Sequence, residues 1–274
     1  MIDHEAIARQ AEYLASEYST NRGGGDPALA IQEEGIKYIE SGFGNGGFEG
    51  ASRYRRKKNR FEVFINTDIE TTAERRQFTR SHELAHVQLA PHRDLLKQVI
   101  THKSSPEFNK DTDIEREADL FAGHFLAPTK RVKKIAGSGY WTAETVLDVA
   151  RLLECSILCA AIRCQQVLRG VSAIIKWNPD GTAQWQKMAN SWWEQLPSRS
   201  IRHQQALVRG SATELLLNGA DAGRQGYIIR GNTIGFLFPR HHFKFGIGND
   251  QLVREYAIPL GTYGVLTLVR PDSD

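Results

Sequence analysis

The sequence predicts an α+β protein with a helix-rich first part, a helical middle segment and a β-rich last third. Three observations predict it. Apolar residues recur at helical spacing in several stretches before Leu168. Two short runs rich in β-branched and aromatic residues, "GIKYIES" and "FEVFIN", interrupt those helices. Beyond Leu168, "VSAIIKW", "TAQWQKM", "GYIIRGNTIGFLF", "REYAIPL" and "YGVLTLV" alternate with turn residues such as "NPDG". A chain of 274 residues suits two domains. We divide it into 1–137, a helical segment 138–169 and a C-terminal domain 170–274. No internal repeat or low-complexity segment is evident.

The elements follow in order. Asp3 to about Tyr18 is a helix, with Ile7, Ala11, Leu14 and Ala15 on one face. "NRGGGDP" ends it, and a short helix over 28–34 precedes the strand "GIKYIES". The glycine-rich "GFGNGGFEG" is a turn region. A hairpin follows, with strands near Gly50–Arg55 and Arg60–Asn66. Its tip carries Arg53, Arg55, Arg56, Lys57, Lys58 and Arg60, which is either a solvated hairpin end or a contact for an acidic or nucleic-acid partner. A long helix runs from about Thr72 to Leu89 and ends at Pro91. The stretch 92–110 is polar and gives no periodic signal. Another helix starts near Thr112 or Asp113 and ends near Pro128. "WTAETVLDVARLLECSILCAAIRCQQV" forms two shorter helices capped by Thr142 and Ser156.

Composition narrows the function. Hydrophobic residues are 41% of the chain, enough for a sizeable core. A net charge of +3 argues against a protein whose main role is coating nucleic acid. Three cysteines, Cys155, Cys159 and Cys164, form no disulfide framework and suit a reducing compartment. The start, "MIDHEAIARQAEYL", is charged and lacks the apolar stretch of a secretory signal. No apolar run approaches the roughly 18–20 residues that span a bilayer. These features predict a cytoplasmic protein with no membrane partner.

The chemistry centres on "RQFTRSHELAHVQLAPH", Arg76 to His92. His82 and His86 are four apart, so a helix sets both on one face, able to share one metal ion. Glu83 lies beside them, where a carboxylate can take a proton from an attacking water and return it to a leaving amine. A catalytic site of this kind needs a third protein ligand and an open position. Glu115 opens the next strong helix and offers that ligand, with Glu117 as its competitor on another face. Asp119 lies one turn beyond Glu115 on the same face. It can accept the free ring N–H of His82 or His86 and fix the tautomer, which favours Glu115 over Glu117. The strand "FEVFIN", directly before the metal helix, is where an extended substrate would pair.

"RRQFTRSHELAH" followed by "EREADLFAGHFLAP" resembles the ImmA/IrrE family of metallopeptidases. That family has an Arg-Phe-Thr approach to His-Glu-x-x-His, then Glu-x-x-Ala-Asn-x-Phe-Ala leading into Leu-Met-Pro. The match is specific over 61–128, looser over 26–60 and 138–167, and weak beyond. The resemblance implies a zincin-like domain with a small mixed sheet and an active-site helix. It implies His82, His86 and Glu115 as Zn2+ ligands and Glu83 as general base. Asp119 stands where the family usually has Asn, and Ala127 where it usually has Met; the first keeps an acceptor and the second changes packing. The resemblance further implies a regulatory endopeptidase that cleaves a helix-turn-helix repressor of the Xre type. Such cleavage switches on a stress, DNA-damage or phage-defence response. By analogy the C-terminal region is a GAF- or PAS-like sensor that gates the activity. The other reading is a non-proteolytic DNA-binding regulator whose metal is structural.

Further residues carry weaker signals. His124, five residues past Asp119, is a packing or surface histidine or an oxyanion helper. His92, His102 and Tyr140 lie where they could reach the cleft. Cys155 and Cys159 are one turn apart on an apolar face and read as small core residues. The helix pair around them invites a DNA-binding reading, but Arg151 and Arg163 are its basic residues, too few for a basic face. We read it as packing on the peptidase domain. Trp177, Trp185, Trp192 and Trp193 read mostly as core. "RHHFKFG", with His241 and His242, and the stretch Arg199 to His203 mix basic and aromatic residues. They suit a single-stranded nucleic acid at the C-terminal domain, with a small-molecule signal as the other candidate ligand.

Overall fold

The helix predicted to carry the chemistry forms over Ala73–Gln88 (α3) in the computed structural model. Thr72 caps it by accepting from the Arg75 N–H at 3.2 Å. From Ser81 to Val87 every residue of α3 is buried, so this half of the helix is enclosed on all sides, while the start of its first turn is exposed. The structure describes residues 3–44, 48–98, 102–104, 113–137, 141–168, 172–189, 210–219, 227–230 and 252–271, with side chains omitted at 102–104, 227–230, 252–253 and 271.

The chain divides into two compact units, one of Met1–Lys134 with Val149–Cys159 and one of Ile135–Asp148 with Ala160–Asp274. In the first unit, α1 (His4–Glu17) and α2 (Pro27–Glu33) precede a four-stranded sheet. Its strands are β1 (Lys37–Ser41), β2 (Gly50–Arg55), β3 (Arg60–Asn66) and β4 (His102–Ser104), in the order β1-β3-β2-β4. β1 is parallel to β3, and the other pairs are antiparallel, so the sheet is mixed as predicted. α3 is followed at once by α4 (Ala90–Gln98), and then by α5 (Asp113–Leu126) and α6 (Thr129–Ala136). α3 packs on α5, and α5 on α1, and Ala118, Phe121, Ala122 and Phe125 of α5 are fully buried.

Two expectations change here. "FEVFIN" is an interior strand with β1 on one side and β2 on the other, so it offers no free edge to a substrate. The strand order rests on the parallel return of β1, a non-local pairing invisible in local pattern. Pro91 does not simply end a helix. Leu89 leaves the α region at ψ 120°, and Pro91 sits in the first turn of α4, where its missing N–H costs nothing.

The basic hairpin tip turns much of its charge inward. Glu62 is fully buried and accepts from Arg53 at 2.5 and 2.8 Å and from Arg60 at 2.9 and 3.1 Å, with Arg55 at 3.7 Å. Burial alone would raise the Glu62 pKa, but these guanidinium groups hold it below the ordinary value. Arg56 donates to the Lys97 carbonyl, and Lys57 and Lys58 are left exposed at the tip.

Glu12 ties α1 to the far end of α5. Its Oε1 accepts from the Thr129 N–H at 3.1 Å and the Thr129 hydroxyl at 2.5 Å, and lies 2.8 Å from His124 Nδ1. His124 is therefore a packing histidine, turned to Glu12 and α6. Burial would raise the Glu12 pKa, but the hydrogen bonds from His124 and Thr129 hold it at about 2, against an ordinary 4.5. A depressed pKa stabilises the fold above the unfolded value and loses that contribution as pH falls through the folded one. Glu12→Gln is therefore expected to cost about 1–2 kcal/mol at neutral pH. The gap between the thermal midpoints of the variant and wild type should shrink as pH falls from 4.5 towards about 2. A gap that stays constant over that range would refute the assignment.

α7 (Ala143–Leu153) and α8 (Ile157–Val167) form the two predicted short helices. Thr142 accepts from Thr145 N–H at 3.3 Å and Ser156 from Cys159 N–H at 3.1 Å, which are the two expected caps. Glu154, at φ 53°, makes the turn. Cys155, Cys159 and Cys164 are buried thiols outside any disulfide.

The second unit holds a five-stranded antiparallel sheet of β5 (Ala173–Trp177), β6 (Ala183–Met188), β7 (Tyr227–Arg230), β8 (Leu252–Pro259) and β9 (Val265–Pro271), in the order β6-β5-β9-β8-β7. A short helix, α9 (Ala212–Leu217), packs Ala212 against Ala257 and Val265. Buried Glu255 on β8 accepts from the Ala212 and Thr213 N–H groups and from the Thr213 hydroxyl, which satisfies the helix start. Gly264, just before β9, has φ 92°, and any Cβ there would strike the Trp177 carbonyl. Tyr140, Trp192, Trp193, Arg199 to His203 and "RHHFKFG" lie outside the described residues. So does the His102 side chain. No described helix is long and apolar enough to cross a membrane.

Candidate metal centre

The i, i+4 spacing on α3 brings the two imidazoles together, with His82 Nε2 and His86 Nε2 3.1 Å apart. α5 begins opposite them and sets Glu115 in its first turn. Glu115 Oε2 lies 3.4 Å from His82 Nε2, and Oε1 lies 3.5 Å from His86 Nε2. The three donor atoms all fall within 4.8 Å of one another. Ligands of a tetrahedral ion with bonds of about 2.0–2.1 Å stand about 3.3 Å apart. The spacings here match that shell, and two imidazoles with a carboxylate are a donor set suited to zinc. The residues present therefore fit a divalent metal.

Each ring is held from behind. His82 Nδ1 lies 2.9 Å from Asp119 Oδ1, the partner that the turn spacing on α5 anticipates. His86 Nδ1 lies 3.1 Å from His92 Nδ1, and His92 Nε2 lies 2.9 Å from Glu117 Oε2. Glu117 points away from the donor cluster, to His92, while Glu115 points into it. Burial disfavours a charged His82, but hydrogen bonds to Asp119 and Glu115, and the nearby charges of Asp119 and Glu83, raise its pKa to about 10. These carboxylates give the centre a negative field that favours a cation.

Glu83 is fully buried, and its place is set by β2. The Ser52 hydroxyl lies 2.5 Å from Glu83 Oε2 and 3.2 Å from the Glu83 carbonyl. A Cβ on Gly50 would lie 2.6 Å from Glu83 Oε1 and 2.7 Å from Thr79 Cγ2, so a bare glycine is what lets α3 approach the strand. Gly50→Ala is expected to displace the Glu83 carboxylate and lower any Glu83-dependent rate by about 10- to 100-fold. Circular dichroism should stay unchanged. An unaltered rate would show that the helix absorbs the methyl group elsewhere.

Arginines on α3 dock the helix. Arg80 donates to Tyr38 Oη at 2.7 Å and to Glu40 at 3.0 and 3.1 Å, and Arg75 donates to Glu49 at 2.7 and 3.0 Å. Ser52, Gly50 and the pairing of His92 with Glu117 escaped the sequence reading. A serine and a glycine in a strand have no diagnostic spacing. The sequence offers His92 to the cleft and Glu117 to the metal, and it is α4 that joins the two.

Among curated proteins, none matches the chain significantly. Among solved structures, a Mycobacterium tuberculosis transcriptional regulator superposes with a TM-score of 0.55. It shares 11% identity, and the alignment covers 97% of this chain and 74% of that one. At that identity the likeness speaks for the fold alone. Residues 31–165, which include all three clustered donors and Glu83, match the family model Peptidase_M78, described as the IrrE N-terminal-like domain, so the chain carries a domain of that family.

Proposed function

We propose that this protein is a zinc-dependent endopeptidase that cleaves a helix-turn-helix repressor of the Xre type, with the C-terminal unit gating the activity. The observation that carries the reading is the cluster of His82, His86 and Glu115 with a buried carboxylate, Glu83, beside it. His82, His86 and Glu115 would hold the ion. When bound, zinc supplies Lewis acidity at the scissile carbonyl and lowers the pKa of a coordinated water. Glu83 takes the proton from the attacking water at its carboxylate and passes it to the leaving amine. Ser52 holds that carboxylate in place from β2. Asp119 fixes the His82 ring with Nε2 facing the cluster.

The extended substrate should align on the β4 side of the sheet. β4 is an edge strand paired to β2, which touches Glu83, whereas the other edge, β1, lies two strands from β2. The antiparallel sheet of the second unit supports a sensor reading, and a signal bound there would gate cleavage. A regulatory role in a stress, DNA-damage or phage-defence response follows from the choice of a repressor as substrate.

The competing reading, a DNA-binding regulator with a structural metal, needs a basic face on α7 and α8. Arg163 is 1% exposed and donates to Gln166, so it is not available to a phosphate. The test is co-expression of the protein with the helix-turn-helix repressor encoded nearest to its gene, with and without a DNA-damaging agent. A shortened repressor with the wild type supports the reading, and a product seen only after damage supports the gating. Duplex binding with the repressor intact under every condition would favour the competing reading.

A further inference from the structure

We propose that His92 and Glu117 are positioning residues for His86, forming a buried chain that fixes which of its nitrogens faces the metal. The inference rests on the metal reading above and adds residues to it. To present the lone pair of Nε2 to the cluster, His86 must carry its ring proton on Nδ1. That N–H donates to His92 Nδ1, 3.1 Å away. His92 therefore accepts at Nδ1 and carries its own proton on Nε2, which donates to Glu117 Oε2 at 2.9 Å. A carboxylate oxygen can only accept from an imidazole N–H, so Glu117 sets the direction of both hydrogen bonds. With His92 reversed, its Nδ1–H would face His86 Nδ1 and force the His86 proton onto Nε2, where it blocks the ligand position.

Burial makes the chain matter. His86 and His92 are each 1% exposed and Glu117 4%, so water has little access to replace a lost partner. The Asp119 side chain, behind His82, is 41% exposed. Water can stand in for Asp119 but not for His92. The His86 branch is thus the more sensitive of the two supports. It is also built from an element of its own, since α4 serves to bring His92 between α3 and α5.

The test uses the purified full chain and measures Zn2+ affinity by competition with a chromophoric chelator. Thermal unfolding of the metal-free protein is followed in parallel. His92→Leu and Glu117→Leu should each weaken zinc binding by about 10- to 100-fold. Glu117→Gln retains an acceptor oxygen and should lose less than Glu117→Leu. A purely structural role would lower the metal-free melting temperature and leave the affinity unchanged. Affinities within twofold of wild type in the leucine variants overturn the inference but leave the metal reading intact. A wild-type chain that takes up no zinc overturns both. Nitrogen–proton correlation NMR of zinc-loaded wild type decides the matter even if the variants do not fold. It should show the proton of His86 on Nδ1 and that of His92 on Nε2; a His92 proton on Nδ1 overturns the inference.

Discussion

Glu83→Gln is expected to lower peptide-bond hydrolysis by about 10²- to 10⁴-fold while leaving zinc content and fold unchanged. The amide fills the same buried space and can still accept from the Ser52 hydroxyl, so the contact between α3 and β2 survives. It cannot take a proton at neutral pH, and the base is what the proposed reaction needs. Co-expression with the repressor, with zinc measured on the purified variant, checks both halves. An intact repressor and one zinc per chain would isolate the base from the metal site. Cleavage at the wild-type rate would show that Glu83 is not the base. Ser52→Ala should fall between the two, because it loosens the carboxylate without removing it.

The legibility of this chain follows the range of the interactions. α3, its Thr72 cap and the β2–β3 hairpin are local, set by apolar period, capping chemistry and a short turn, and the sequence reading places them within a residue or two of the structure. The His82–His86 pair is equally local, because helix geometry alone brings the rings together. The meeting of Glu115 with that pair depends on α5 packing across α3. It became readable because Asp119 one turn on gave α5 a second reason to face the histidines. β3 is interior, and not the substrate-pairing strand that the sequence suggests, because β1 pairs parallel to it, Lys37 opposite Glu62, and no local pattern specifies that register. α4 escaped because Pro91 signals both the end of one helix and the first turn of the next. With α4 missing, His92 had no backbone to aim it, and Glu117 was left without its partner. The hairpin's arginines looked like a solvated charge run, but a buried acid in the neighbouring strand gathers three of them.

The ligand assignment on α5 makes the second large prediction. Glu115 and Glu117 are two residues apart and both are acids near histidines, but their neighbours give them opposite duties. Glu115 Oε atoms reach both Nε2 atoms at 3.4 and 3.5 Å, whereas Glu117 Oε2 lies 2.9 Å from His92 Nε2. Glu115→Ala should therefore leave less than about one-tenth zinc per chain after dialysis, since a two-histidine site lacks the third protein ligand of a stable centre. Asp119→Asn keeps an acceptor for the His82 N–H and places there the residue that the resemblance to the family would expect. Its zinc affinity should fall by no more than about tenfold. Elemental analysis and chelator competition on the same preparations measure both. Full zinc occupancy in Glu115→Ala would move the third ligand elsewhere on α5. A loss in Asp119→Asn as deep as in Glu115→Ala would mean that Asp119 contacts the ion itself, and that the negative charge this chain carries at that position is part of the metal site.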